Sequence, residues 1–244
     1  MWCASILNHE AGPERRLEEG TRLKQIGLIT IGQAPRTDVA PILEKYLEGR
    51  AELVQSGVLD GFTPAQVREY YTPGEGEYVL TSRMRDGSAA VVSRERIKSV
   101  LQGKIDAMEA SGIKTILLLC TGEFPGLRTV RAHLIEPDRI IPPVVQALTG
   151  KRRLGLIGPL PEQEQNLNEK FAASGTALPF AAVSPYTGSE ADFRAAAEKL
   201  KDRADVIVLD CMGYLEQHRQ WAASAGVPVV LSNALMGKLI AEMV

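Results

Sequence analysis

A chain of 244 residues, 45% hydrophobic and 24% charged, holds enough apolar material for one large domain or two small ones with their own cores. Its formal net charge of −2 gives no electrostatic reason to expect nucleic acid or an anionic membrane as partner. No apolar run approaches the ~20 residues of a membrane span.

The opening stretch, MWCASILNHEAGPERRLEEG, has too short an apolar run and too many charges for a secretion signal, so residues 1–24 are expected to form a flexible polar leader outside the fold. The three cysteines are Cys3, Cys120 and Cys211. They form no C-x-x-C and no zinc-like spacing, which predicts free thiols in a reducing cytoplasm. The histidines (His9, His133, His218) pair with no ligand spacing, so no metal is expected. Neither a P-loop nor a G-x-G-x-x-G follows a strand, and no cofactor is predicted.

From residue 25 onward, short β-branched runs alternate with helical patterns, the signature of a parallel α/β fold. QIGLITIG (25–32) reads as a buried strand, RTDVAPILEKYLEG (36–49) as an amphipathic helix and AELVQSG (51–57) as a second strand. SRERIKSVLQGKIDAMEASG (93–112) is a helix with apolar spacing Ile97, Val100, Leu101, Ile105, Met108 and a terminating Gly112. Strand 115–119 then delivers Cys120. The second half repeats the plan with a strand in RRLGLIGPLPEQ (152–163), a helix at 161–175 and a helix at 189–204 that opens on a capping-box variant, Ser189 to Asp192. Strand 205–209 delivers Cys211, and a last strand (227–232) and closing helix (233–244) end the chain.

Overlaying the halves aligns IGLITIG (26–32) with LGLIGPL (154–160), and KTILLLCTG (114–122) with ADVIVLDCMG (204–213). Leu28 to Cys120 is 92 residues and Leu156 to Cys211 is 55, leaving about 37 extra in the first half. The excess is assigned to 59–95, where YVLTSRMRDGSAAVVS (78–93) carries a hairpin signal around Asp86-Gly87. The predicted fold is therefore two pseudo-symmetric parallel-sheet lobes with a hairpin insertion in the first, placed as a mobile lid over the cleft. The lobes are expected at 25–125, completed by the C-terminal helix 233–244, and at 126–232.

In open parallel sheets, ligands bind beyond the carboxyl ends of the strands, and both cysteines sit there. A thiol ahead of a helix N-terminus is expected below the ordinary value of about 8.5. Facing lobes would offer one thiol from each side, suited to removing a proton from one face of a carbon and returning one to the other. Thr121 Oγ and the amides of Gly122, Met212 and Gly213 are the expected donors to the substrate carboxylate. The bland alternative is a pair of buried core cysteines.

TIGQAPRTDV, EPDRIIPP and DVIVLDCMGYLEQHR together resemble the AroM family, and the paired strand-Cys turns resemble the aspartate/glutamate racemase superfamily. The resemblance implies a two-lobed fold with a cofactor-free site between the lobes, as in amino-acid and hydantoin racemases, maleate isomerase and arylmalonate decarboxylase. By position, Cys120 and Cys211 match the two thiols and Thr121 the small hydroxyl residue after the first. Met212-Gly213 stands where glutamate racemases carry Thr-His, which argues against glutamate as substrate.

In the substrate-binding turn that the resemblance places after the first strand, Gly32, Gln33 and Arg36 are the candidates, with Arg36 gripping a carboxylate in the bidentate manner. The competing reading puts Pro35 at the first helical position and leaves Arg36 solvated. Arg139 is a further carboxylate binder unless Glu136 or Asp138 pairs with it. His218 tunes the thiol or is a solvated helix residue, and Glu123 is a lesser acid/base candidate. The expected function is a cofactor-independent racemase, epimerase or isomerase of a small amino-acid-like or dicarboxylic substrate. A single-cysteine decarboxylase or cis–trans isomerase, or a two-lobed small-molecule binding protein, are the alternatives. A homodimer is left open.

Overall fold

The computed structural model describes residues 23–172 and 177–244, so the leader expected at 1–24 falls almost wholly outside the described residues, with Cys3 and His9. Among the described residues, ten strands and eight α-helices alternate along the chain. In the first half, β1 (Lys24–Thr30), β2 (Ala51–Gly57), β5 (Thr115–Leu119) and β6 (His133–Ile135) form a parallel sheet in the order β2-β1-β5-β6. In the second, β7 (Leu154–Gly158), β8 (Phe180–Ala182), β9 (Val206–Leu209) and β10 (Val229–Leu231) form another in the order β10-β9-β7-β8. Numbered within its own half, each sheet runs second–first–third–fourth. The register agrees residue by residue with the sequence overlay: Leu28 pairs with Leu117 in one sheet and Leu156 with Val208 in the other. The repeat is thus visible in topology and in strand pairing.

Both faces of the central strands β1, β5, β7 and β9 are buried, which is why those strands read as apolar runs. On β5, Leu117 and Leu119 face a central core while Ile116 and Leu118 face an outer one, the period of two expected of a strand. On β9, Val206 and Val208 turn inward and Ile207 and Leu209 outward. The central core joins the two sheets through α1 (Ala40–Leu47), α4 (Pro137–Thr149), α5 (Glu164–Phe171) and α8 (Ser232–Ala241). The last helix lies against α1, where Gly237 leaves room for the Tyr46 ring and Arg50 donates to the Ala241 carbonyl at 2.9 Å. The outer cores hold α2 (Pro64–Tyr71) and α3 (Arg94–Ala110) on one side, α6 (Glu190–Lys201) and α7 (Glu216–Ala223) on the other.

Several expectations are corrected. The first helix begins at Ala40, not at 36, because Pro41 rather than Pro35 takes the position at its start, where a missing N–H costs nothing. The first sheet continues through β6 to Ile135, past the boundary expected at 125, since His133 to Ile135 complete its edge beside β5. The helix expected at 161–175 is a 3-10 turn (Pro161–Gln163) followed by α5.

The hairpin β3 (Val79–Arg83) and β4 (Ala89–Ser93) forms as expected, with Gly87 at φ +91° in its turn. It is not a detachable flap. Leu80, Met84 and Val92 are buried in the outer core of the first half, and the Ser93 side chain caps α3.

Candidate active site

Cys120 immediately follows β5 and Cys211 lies two residues beyond β9. Both cysteines line one cleft between the two halves, part of it open to solvent. Its walls come from Leu119 to Gly122 and Asp210 to Gly213 at the strand ends, with Tyr78, Leu80, Thr81 and Ser82 from the hairpin and Tyr186 and Gln163 from the second half.

The two thiols are held alike. The Gly122 amide donates to Cys120 Sγ at 3.3 Å, and the Gly213 amide donates to Cys211 Sγ at 3.3 Å. These amides therefore point at sulfur, not outward to a carboxylate as the sequence suggested. An N–H aimed at sulfur favours the thiolate, yet burial outweighs it. Cys120 is pushed up to about 12 by burial, against the opposing pull of the Gly122 amide, with Cys211 adding to the rise. Cys211 is pushed up to about 11, again by burial, with Gly213 and Arg36 opposing. The expectation of lowered thiol pKa values is overturned. The turn after Cys120 leads to β6 and not to a helix, and at both sites loss of solvent dominates.

The glycines make close approaches. A Cβ on Gly213 would stand 2.5 Å from the Tyr186 hydroxyl, and one on Gly122 would stand 2.6 Å from Leu80 Cδ2. Glycine at these positions lets a tyrosine and the hairpin close down on the thiol turns. Met212 is buried beneath the cleft and also belongs to the central core. The Thr121 hydroxyl lines the cleft and makes a long 3.4 Å contact to the Asp210 carbonyl across the two halves.

Arg36 reaches the cleft, buried to 3% exposure, but Asp38 already occupies its fork through two bonds of 2.8 Å. Thr30 accepts a third bond at 3.2 Å, and the guanidinium lies 5.8 Å from the Tyr186 ring centre. Burial alone would weaken the charge; the bonds to Asp38 prevail and hold it. Gln33 is spent elsewhere, donating to the Leu59 and Phe62 carbonyls and accepting from the Arg85 amide. Gly32 admits the hairpin backbone, with the Arg83 carbonyl standing against the place a Cβ would take. Gln33 and Gly32 thus fasten the insertion to the first sheet and do not line the cleft.

Arg139 stands on the surface of α4, paired with Glu136 at 3.1 Å. Glu123 lines a second, wider chamber with Asp138, Lys170 and Tyr78, and Tyr78 forms the wall common to both spaces. His218 fits neither sequence reading. It is buried, stacked on Phe193 with ring centres 4.5 Å apart, and its Nδ1 accepts from the Leu215 amide at 3.0 Å. Tyr214 likewise sits in the core, donating to the Val183 carbonyl at 2.7 Å.

Sequence reasoning missed Tyr78, Ser82, Tyr186, Lys170 and Asp210. Asp210 left a readable mark: the overlay sets it opposite Leu119, and a carboxylate in place of an apolar strand-end residue is anomalous. Its carboxylate receives Lys170 Nζ at 2.7 Å and the Ser232 hydroxyl at 3.3 Å. Lys170 left no mark, being one charge among several on an amphipathic helix. Among the described residues no cluster of His, Cys, Asp or Glu is arranged to hold a metal, and no helix is long and apolar enough to cross a membrane.

Several solved structures share this architecture. Glutamate racemase RacE1 from Bacillus anthracis matches 90% of this chain and 81% of its own at a TM-score of 0.56 and 14% identity. Maleate isomerase Iso from Pseudomonas putida S16 matches 91% and 93% at 0.54 and 9% identity. Unliganded arylmalonate decarboxylase matches 90% and 91% at 0.51 and 14% identity. At such identities the likeness establishes the fold, that of the aspartate/glutamate racemases. No curated protein matches the chain by sequence. The profile of the AroM protein family, however, matches residues 26–244, the whole of both halves, and the chain belongs to the AroM family.

Proposed function

We propose that this protein is a cofactor-independent racemase, epimerase or isomerase of a small carboxylate, with Cys120 and Cys211 as opposed acid and base. The observation that carries the reading is the paired geometry: two thiols at equivalent ends of a repeated sheet, in one cleft, each accepting an amide from a glycine two residues on. In one direction the thiolate of one cysteine takes the proton from the carbon next to the carboxylate, and the thiol of the other returns a proton from the opposite face. The two sulfurs exchange protonation states in each turnover, so the reverse direction uses the same groups in exchanged roles. The remaining Arg36 N–H groups and the Thr81, Ser82 and Thr121 hydroxyls are the donors for the carboxylate, where charge develops as the proton leaves. The test is proton exchange in D₂O over a panel of amino and dicarboxylic acids. Deuterium at the carbon next to the carboxylate, blocked by iodoacetamide, is the expected result.

One observation favours a second reading. Burial pushes both thiols above the ordinary cysteine value, which favours the protonated form a single-cysteine decarboxylase needs to protonate a carbanion left by loss of CO₂. In that case one cysteine is essential and the other replaceable by a small residue. A two-lobed binding protein would instead show thermal stabilisation by ligand with neither exchange nor CO₂ release.

A further inference from the structure

Among the described residues, one cation touches both thiol turns. Lys170 Nζ, projecting from α5, donates to the Thr121 carbonyl at 2.8 Å and to Asp210 Oδ2 at 2.7 Å. Thr121 follows Cys120 in the first half, and Asp210 precedes Cys211 in the second. The pair is deeply placed, with side-chain exposures of 13% and 0%, so the contact is not a screened surface bridge. Lys170 also lines the outer chamber, on the far side of Tyr78 from the cleft.

We infer that Lys170 is a positioning residue for both cysteines: its ammonium ties the turn after Cys120 to the turn before Cys211 and holds a positive charge against the two. The tie makes the strand ends of the two halves one unit, so the thiols keep a fixed relation when a ligand enters. The charge acts on both sulfurs in the same sense, since a thiolate forms more readily beside an ammonium. Asp210 restrains this effect as the ammonium's counter-charge, and it lies next to Cys211 in the chain.

Other charges face the thiols from the surrounding elements. Cys120 sees Cys211, Tyr78 from the edge of the hairpin and Asp138 from α4. Cys211 sees Arg36 from the β1 end, with Tyr186 and Tyr214 from its own half. Of the cations, Arg36 is neutralised by Asp38 and opposes the rise at Cys211, whereas Lys170 acts on both cysteines.

This inference builds on the acid/base reading of the thiols, but its test requires no substrate. The full chain is alkylated with iodoacetamide across pH 7–10, and each thiol is followed separately by peptide mass spectrometry. Lys170→Met should slow alkylation of both cysteines at pH 8 by about fivefold or more, because the Asp210 carboxylate is left unopposed. Asp210→Asn should speed it by a similar factor, and Lys170→Met combined with Asp210→Asn should return close to wild type. Lys170→Arg should retain most of the wild-type profile. The opposite signs identify a charge effect. A purely structural role would loosen the cleft in either variant and bring both thiols toward ordinary cysteine, speeding alkylation in both. That common direction, or no change in either, would overturn the inference. Should Lys170→Met fail to fold, as circular dichroism would show, the double variant decides: a rate close to wild type supports the charge effect, and a rate as fast as that of Asp210→Asn overturns it. Absence of proton exchange with every carboxylate tried would count against the proposed reaction and leave the alkylation result standing.

Discussion

Cys120 and Cys211 have matched surroundings, and the chemistry that follows is set by the competition at each sulfur between one amide donor and loss of water. Loss of water prevails, holding the thiols near 12 and 11. The thiolate fraction is then small at neutral pH and grows about tenfold per pH unit, so exchange should climb log-linearly from pH 7 to 9. A plateau near 8.5, the ordinary cysteine value, would show that the reacting form is solvated. Serine is far less acidic than cysteine, so Cys120→Ser and Cys211→Ser should each reduce racemisation by orders of magnitude while leaving analogue affinity nearly intact. Each variant should still exchange one enantiomer through its surviving thiol, with opposite preference in the two. Full activity in either would refute the paired mechanism. His218 governs a separate property. Burial lowers it to about 4 from 6.5, so between these values the unfolded chain binds a proton that the folded chain does not. The penalty is absent above about pH 6.5 and accumulates as pH falls toward 4. Urea melts from pH 7 to 4 should show this penalty, and His218→Asn should flatten the slope.

The elements that deliver these residues differ in how plainly the sequence announces them. β2, β5 and α3 are legible because apolar spacing, a capping serine and a terminating glycine agree. β6 and β8 are three residues each, too short for any period to declare itself. α4 carries Pro142 and Pro143 in its interior, which read as a break, yet Pro142 packs into the buried side of the helix. The hairpin is legible as a hairpin but not as part of the core, since burial of Leu80 and Val92 depends on their joining one cluster with α2 and α3. Deleting 78–93 should therefore unfold the first half rather than leave an open cleft. The functional contribution of the hairpin is better tested from the other side of its contact. Gly122→Ala puts a methyl 2.6 Å from Leu80 and should push the hairpin outward. The expected cost is about 1–3 kcal/mol of stability, with weakened ligand affinity and faster alkylation of Cys120 as water enters. A thermal melt and the alkylation rate check both, and unchanged alkylation would place the hairpin outside the control of the site.

At the scale of the whole molecule, the duplicated sheet was readable because register preserves sequence spacing: the same offsets that align the two halves pair their strands. The residues of the cleft were less readable, because Tyr78 and Tyr186 reach the thiols through packing within each half that no local period announces, and Lys170 reaches the Thr121 carbonyl only when the two halves come together. The central core holds that arrangement, with α1, α4, α5 and α8 packed between the sheets. Such a core makes wide hinge opening costly, so ligand binding should change the relation of the sulfurs by little more than side-chain movement. Proton transfer across a planar carbon needs a sulfur on each face within about hydrogen-bond reach, which sets the sulfur–sulfur distance at roughly 6–9 Å in a complex. A crystal structure with a small carboxylate bound should show that separation, with the ligand between the two cysteines and its carboxylate on the Arg36, Thr81 and Ser82 side. Sulfurs about 15 Å apart in the occupied cleft, or a ligand resting in the outer chamber beyond Tyr78, would leave no path for two-sided transfer. The single-thiol chemistry would then be the better account.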